Sequence, residues 1–328
     1  MNSNRNTFTF DFRRLRVLQE LRERGTLAAT AKALNLTPSA ISQQIAALSR
    51  EIGVPLLEPA GRCVRLTPQA ELLLAHGSVM EAQLERARTD LAAFSGGRAG
   101  HVTLGTFSTA IIALVAPMFE RLRRDRPLLH LSVKETEPPE CFTQLDNGSL
   151  DLVVTVDFRN GPHRNDPRYH RVDLMLDPLL VAVPEHHPLA GRKTIELLAL
   201  ADEDWIIGAI RDPCQEVSLT ACTIAGFNPD IQHRVNDWVS VFALVAAGCG
   251  VALVPRLAVP PVPPSGIAFR PVAGPQRPGR NIYAAIRAGA ERSPHLMPVL
   301  AELSAAAKAL ATPSAGRGPG SPGSRPRR

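Results

Sequence analysis

No stretch of about 18 apolar residues occurs in this 328-residue chain, which excludes a membrane-spanning helix. The opening MNSNRNTFTFDFRRLR has no apolar segment and no small-residue cleavage site, so secretion is not expected. Cysteine is scarce: Cys63, Cys141, Cys214, Cys222 and Cys249 are odd in number, widely scattered and never in C-x-x-C spacing. That excludes a disulfide framework and a zinc ribbon, and it points to a reducing cytoplasm. His186 and His187 are adjacent and without nearby partners, a poor metal site, so no metal is expected. The chain also lacks G-x-S-x-G, H-E-x-x-H, a Walker loop and a G-x-G-x-x-G after the first body strand; AGCG at 247–250 is too short to count. An enzyme of unknown reaction is left as the weaker reading, and no cofactor is expected.

Hydrophobic residues make up 45% of the chain, enough for proper cores, and the length suits two or three domains. The net charge of +6 is unevenly placed. Residues 1–67 hold 10 Lys/Arg against 5 Asp/Glu, residues 313–328 hold four arginines and no acid, and the part between is mildly acidic. A basic amino-terminal module on an acidic body suggests a polyanion partner at one end. Solvated surface charge is the competing explanation.

Three short helices are expected within residues 8–52. The first, Phe12 to Arg24, sets Leu15, Leu18 and Leu21 on one side with Gly25 as its stop. The second runs from Leu27 to Leu34, with Asn35 at its exit. The third begins with Thr37 as N-cap and Pro38 at the first helical position. Its Ile41, Ile45, Leu48 and Ile52 share one face; Ser39, Gln43, Ala46 and Arg50 lie opposite, with Ser42 on the flank. Small residues let a helix approach the major-groove floor, and Gln and Ser bond base edges. Arg50 and Lys32 would hold phosphates, which position without specifying. An ordinary amphipathic helix is the plainer reading. The following segment VPLLEPAGRCVRLT, a ribbon around Pro59-Ala60-Gly61 with Arg62 and Arg65 near its tip, favours a winged helix-turn-helix.

One long helix is expected over residues 68–94, where Leu73, Met80, Leu84, Ala87, Leu91 and Phe94 form a heptad seam. Such a helix pairs with a copy of itself or lies along its own domain, and the regularity of the seam favours pairing. SGGRAG at 95–100 is a joint. Residues 101–312 alternate strands and helices, which implies parallel sheets covered by helices. Breaks near 161–168 and 259–266 suggest two lobes with a ligand cleft between them. The Pro/Gly/Ser/Arg tail from 313 should be disordered. The domains so drawn are 1–67 (DNA-binding), 68–97 (linker helix) and 98–312 (body). Within the body, lobe 1 takes 101–160 with 266–312 and lobe 2 takes 163–262. Residues 313–328 are a basic tail.

Residues 10–74, including LRVLQELRERGTLAATAKALNLTPSAISQQIAALSREIGVPLLEPAGRCVRLT, strongly resemble the DNA-binding domain of LysR-type transcriptional regulators. DPLLVAVPEHHPLA and DWVSVFALVAAGCGVALVP resemble landmarks of that family's effector domain, so the likeness covers nearly everything but the tail. It implies an α/β fold: a winged helix-turn-helix, a linker helix and a two-lobed, periplasmic-binding-protein-like effector domain. It further implies a DNA-binding transcription regulator working on double-stranded DNA as a homodimer or homotetramer. By that likeness Thr26, Thr37, Pro38, Ser39, Ser42 and Gln43 meet DNA, with Arg62 and Arg65 as wing contacts. Ser49, Pro59 and Gln69-Ala70 depart from the family pattern, and Pro59 replaces a frequent wing arginine, so a weaker wing is expected.

The resemblance also puts a small-molecule effector between the lobes, at Phe107, Ser108 and Thr109. Hydroxyls at a helix start suit an anionic effector. Thr155 and Asp157, at another strand end, and Trp238, Val239 and Ser240, at a later helix start, should face the same cleft. Alternatively, these hydroxyls cap their own helices. Cys214 and Cys222 are placed similarly to the redox pair of peroxide-sensing members. A spacing of eight along a helix keeps the thiols apart, and two small buried residues explain them as well. A reactive thiol there would need an electropositive setting such as Arg211.

Overall fold

The computed structural model describes residues 11–60, 63–94, 100–208, 213–275 and 277–311. Arg62, Arg211, most of the joint at 95–99 and the tail therefore lie outside the described residues. Two compact units divide between Ala87 and Arg88. Among the described residues no helix is long and apolar enough to cross a membrane.

The first unit begins with α1 (Phe12–Arg24), α2 (Leu27–Ala33) and α3 (Pro38–Ile52). Each helix starts where a side-chain oxygen takes an otherwise orphaned N–H: Asp11 accepts from Arg13, Thr26 from Ala29 and Thr37 from Ala40. The exits need a left-handed residue, supplied by Gly25 at φ 72°, Asn35 at φ 53° and Gly53 at φ 81°. Leu15, Leu18, Leu21, Ile41, Ile45, Leu48 and Leu56 are buried together, which locks α3 against α1. Ser49 accepts the Leu56 N–H at 3.3 Å, so the family departure there ties α3 to the ribbon. That ribbon pairs β1 (Leu57–Ala60) antiparallel with β2 (Cys63–Leu66). Next comes α4 (Pro68–Phe94); its interior Gly77 leaves room for the Leu15 side chain.

The second unit begins with β3 (Gly100–Thr106) and a helix that starts as α5 (Ser108–Ala110), opens into a π turn at Ile111–Val115 and continues as α6 (Ala116–Asp125). Pro117 has no N–H for the preceding turn, and Ala116 donates five residues back to Ile111. There follow β4 (Leu129–Glu135), α7 (Glu140–Asp146), β5 (Leu152–Val156) and β6 (Tyr169–Pro184). Then come a 3-10 turn at Leu197–Leu200, β7 (Asp204–Ile207), α8 (Pro213–Ile224), β8 (Asp230–Arg234), α9 (Trp238–Ala246) and β9 (Ala252–Pro255). The described chain closes with β10 (Ile267–Pro271), β11 (Gly279–Arg287) and α10 (Leu296–Ala311).

The sheet differs from the all-parallel expectation. β3 pairs parallel with β4 and β5, and β7 with β8, because helical crossovers join them. β6 and β11 instead run antiparallel to each other, and β9 and β10 antiparallel to β6. The cause is the length of β6. Residues 169–178 pair with β11, and residues 179–184 pair with β9 and β10, so one strand serves both lobes. Its first half follows the break at 161–168, in a stretch to which the sequence reading assigned no element, although Tyr169, Arg171 and Asp173 alternate with His170, Val172 and Leu174. Separate apolar cores back the two halves. One gathers Leu104, Leu114, Met118, Val154 and Leu303; the other gathers Val181, Trp205, Ile207, Cys222 and Val251. Gly250 adopts φ 146°, and a Cβ there would meet the Asp204 carbonyl oxygen at 2.5 Å, so the AGCG stretch is a backbone crossing point.

Candidate functional site

On α3 the seam Ile41, Ile45 and Leu48 is buried, which turns Ser39, Ser42, Gln43, Ala46 and Arg50 to solvent. Lys32, Thr37 and Pro38 are exposed beside them, and Thr26 caps the helix before. The Thr37 hydroxyl accepts the Ala40 N–H at 3.2 Å and shares a 2.9 Å hydrogen bond with Ser39, so the cap also orients a side chain of the exposed face. Four arginines of this unit are held by its own glutamates. Arg14 pairs with Glu51, Arg16 with Glu81, Arg22 with Glu71 and Arg24 with Glu20. On the ribbon Arg65 lies 2.6 Å from Glu58, and any other anion must compete with that carboxylate.

In the second unit Phe107, Ser108 and Thr109 stand where β3 passes into α5, with Phe107 and Thr109 buried. Thr109 accepts from the Arg280 Nη2 at 2.7 Å, and the Arg280 guanidinium lies 4.7 Å from the centre of the Phe107 ring. Arg280 also donates to Asp177 at 2.9 Å and to the Cys214 sulfur at 3.4 Å. Asp177 is fully buried, Arg280 is 6% exposed, and Asp177 additionally accepts the Leu257 N–H at 3.1 Å. A buried charge survives only when paired and bonded in this way. The knot joins β3–α5, β6, the start of α8, the turn after β9 and the start of β11.

The other expected pocket residues are placed differently. Thr155 is buried and takes a weak bond from the Cys141 thiol at 3.9 Å. Asp157 accepts from Arg171 at 2.7 Å and Asn281 at 3.1 Å. Burial pulls its pKa upward, but these bonds outweigh that and hold it below the ordinary carboxylate value. Trp238 is half-buried, Val239 and Ser240 are exposed, and both the N–H and the hydroxyl of Ser240 bond Asp237, which caps α9. The structure thus brings Phe107 and Thr109 to one knot and does not bring Thr155, Asp157 or Ser240 to it. Cys141, Cys214, Cys222 and Cys249 form no disulfide.

Residues 12–71 match the bacterial regulatory helix-turn-helix protein of the lysR family, and residues 95–308 match the LysR substrate binding domain. The chain belongs to the LysR family. It is similar to the HTH-type transcriptional regulator MetR of Escherichia coli, 28% identical over 286 residues, 87% of this chain and 86% of MetR. It is likewise similar to the DNA-binding transcriptional dual regulator OxyR of Escherichia coli, 28% identical over 281 residues, 85% of this chain and 90% of OxyR. A solved mutant of Corynebacterium glutamicum OxyR matches with a TM-score of 0.58 at 24% identity, covering 92% of this chain and 93% of that one, which shows the fold. This LysR-family chain is therefore a DNA-binding transcription regulator with an effector-binding domain, and not an enzyme.

Arg280 and Asp177 were missed from the LysR-family sequence alone. Each is an ionisable residue at the end of an otherwise apolar strand segment, LLVAVP in one case and NIYAAIR in the other. That is the one signal that could have found them.

Proposed function

We propose that α3 reads base pairs in the major groove through Ser39, Ser42 and Gln43, with Thr37 and Pro38 at its entry. Thr26, Lys32 and Arg50 meet the backbone, and Arg62 and Arg65 form the wing contact. The observation that carries this is the exposed face of α3, uncharged from Ser39 to Ala46, opposite the buried Ile41, Ile45 and Leu48. Gln43→Ala then relaxes base preference with little change in salt dependence, whereas Arg62→Ala weakens all duplexes alike, as phosphate contacts do. If neither substitution alters DNA binding, the assignment fails.

The effector is a small, anionic molecule seated at Phe107, Ser108 and Thr109 over the Arg280 knot, with Trp238 and Val239 opposite. Thr155, Asp157 and Ser240 are bonded to Cys141, to Arg171 with Asn281, and to Asp237, and are left out of this site. The domains are taken as 1–67, 68–97 and 98–312, and α4 pairs two or four copies so that neighbouring half-sites are read together. An effector changes DNA binding only by favouring one assembly state over another. A fluorescence titration with small carboxylates checks the site: Thr109→Val should abolish a response seen in the parent.

A second reading, thiol-based redox sensing, rests on the Arg280 guanidinium 3.4 Å from Cys214 at the start of α8. A nearby cation is the setting a reactive thiol needs. Cys222 is its opposite: burial pushes that thiol up to about 11. Peroxide would convert the Cys214 thiolate to a sulfenic acid and leave hydroxide, and dimedone labelling lost in Cys214→Ser reads that step.

A further inference from the structure

β3 and β4 close one end of the large sheet, with β4 as its outer strand. They pair in parallel, and the register sets His101 opposite His130 and Thr103 opposite Ser132. Alternation along each strand sends Val102 and Leu104 into the core and lays Leu129 and Leu131 against it. His101, Thr103, His130 and Ser132 therefore share the other face, and both histidines are exposed. Neighbouring strands lie about 4.8 Å apart, so two directly paired imidazoles can converge on one point. The His295 ring takes no part, because it fills the space beside Gly100 on the opposite face. The two histidines are far apart along the chain, and only the register makes them a pair.

The hydrogen bonds decide which nitrogen of His101 is available. Ser132 Oγ lies 3.1 Å from His101 Nε2 and donates to the Thr103 hydroxyl at 3.2 Å. A hydroxyl has one proton to give, so His101 Nε2 donates the other bond and Nδ1 keeps its lone pair. A metal-binding imidazole is held in this way, one nitrogen donating to a neighbouring oxygen while the other takes the ion. Among the described residues no three His, Cys, Asp or Glu side chains are grouped to hold a metal, so only two protein ligands are on offer here. Imidazole nitrogen favours late first-row divalent ions over Mg2+ and Ca2+, which take oxygen.

We propose that His101 and His130 form a two-histidine site for a late first-row divalent metal ion, with water in the remaining positions. Ser132 and Thr103 hold His101 in its ligating tautomer. The site goes beyond the regulator reading and stands without it. β3 is the first strand after residues 95–99, so a bound ion ties the start of that strand to the outer strand of the sheet.

The test titrates the full chain, free of any affinity tag, with NiCl2 in a calorimeter. Saturable binding of a single ion per chain is expected, reversed by EDTA and untouched by excess MgCl2. His101→Ala and His130→Ala should each weaken it roughly tenfold or more, with circular dichroism reporting that the fold is kept. Ser132→Ala should weaken it by a smaller factor, because it removes only the acceptor that holds the ring. His76→Ala and His186→Ala, at exposed histidines of other segments, should leave it unchanged. Binding that does not saturate, survives either substitution of the pair, is as tight in Ser132→Ala as in the parent, or is lost with His76→Ala or His186→Ala overturns the proposal.

Discussion

Glu58 and Arg65 face each other across the β1–β2 ribbon, so a carboxylate already occupies the guanidinium proposed for the wing contact. An exposed pair of this kind contributes little to stability, about 0–1 kcal/mol, and its removal is a clean electrostatic change. Glu58→Gln is expected to tighten binding to every duplex and to steepen the salt dependence by about one phosphate contact, measured by anisotropy at several salt concentrations. An unchanged salt slope would remove the ribbon from the interface. The Arg280–Asp177 pair is the contrary case, because both partners are buried. Asp177→Ala leaves a guanidinium without its counter-charge and should cost about 3–5 kcal/mol in urea unfolding of the effector unit. A loss under about 1 kcal/mol would mean that water enters the knot.

At the scale of elements, α8 decides what its two cysteines can do. Cys214 and Cys222 are eight residues apart, so the helix separates their Cα atoms by about 12 Å, beyond the roughly 7 Å a disulfide tolerates. Diamide treatment should therefore leave no Cys214–Cys222 bond in the native protein, read as the masses of alkylated peptides. Finding that bond without loss of helical signal would contradict the helix. The Thr37–Pro38 start and the left-handed Asn35 are legible as sequence because each is a local steric or capping rule. β6 was half hidden because its pairing partners lie about 100 residues away.

For the whole molecule, α4 leaves Leu72, Val79, Leu84 and Leu91 exposed, with Phe94 at 92%, on a single chain. Apolar surface of that extent on one helix calls for a partner. Leu84→Glu with Leu91→Glu is expected to lower the sedimentation mass of the assembly and, with it, affinity for paired half-sites more than for a single one. An unchanged mass would place the pairing elsewhere. What the sequence by itself determined is the helix α3 with its caps and the long helix α4, since these depend on neighbours three or four residues apart, and the family. Only the tertiary structure decided that Thr109, Asp177, Cys214 and Arg280 meet. It also decided that Arg65 is already paired, and that Thr155 and Asp157 turn to Cys141 and Arg171. Burial of a charge must be compensated by whichever opposite charge the fold brings near, and that proximity is set by sheet register across the chain rather than by spacing along it.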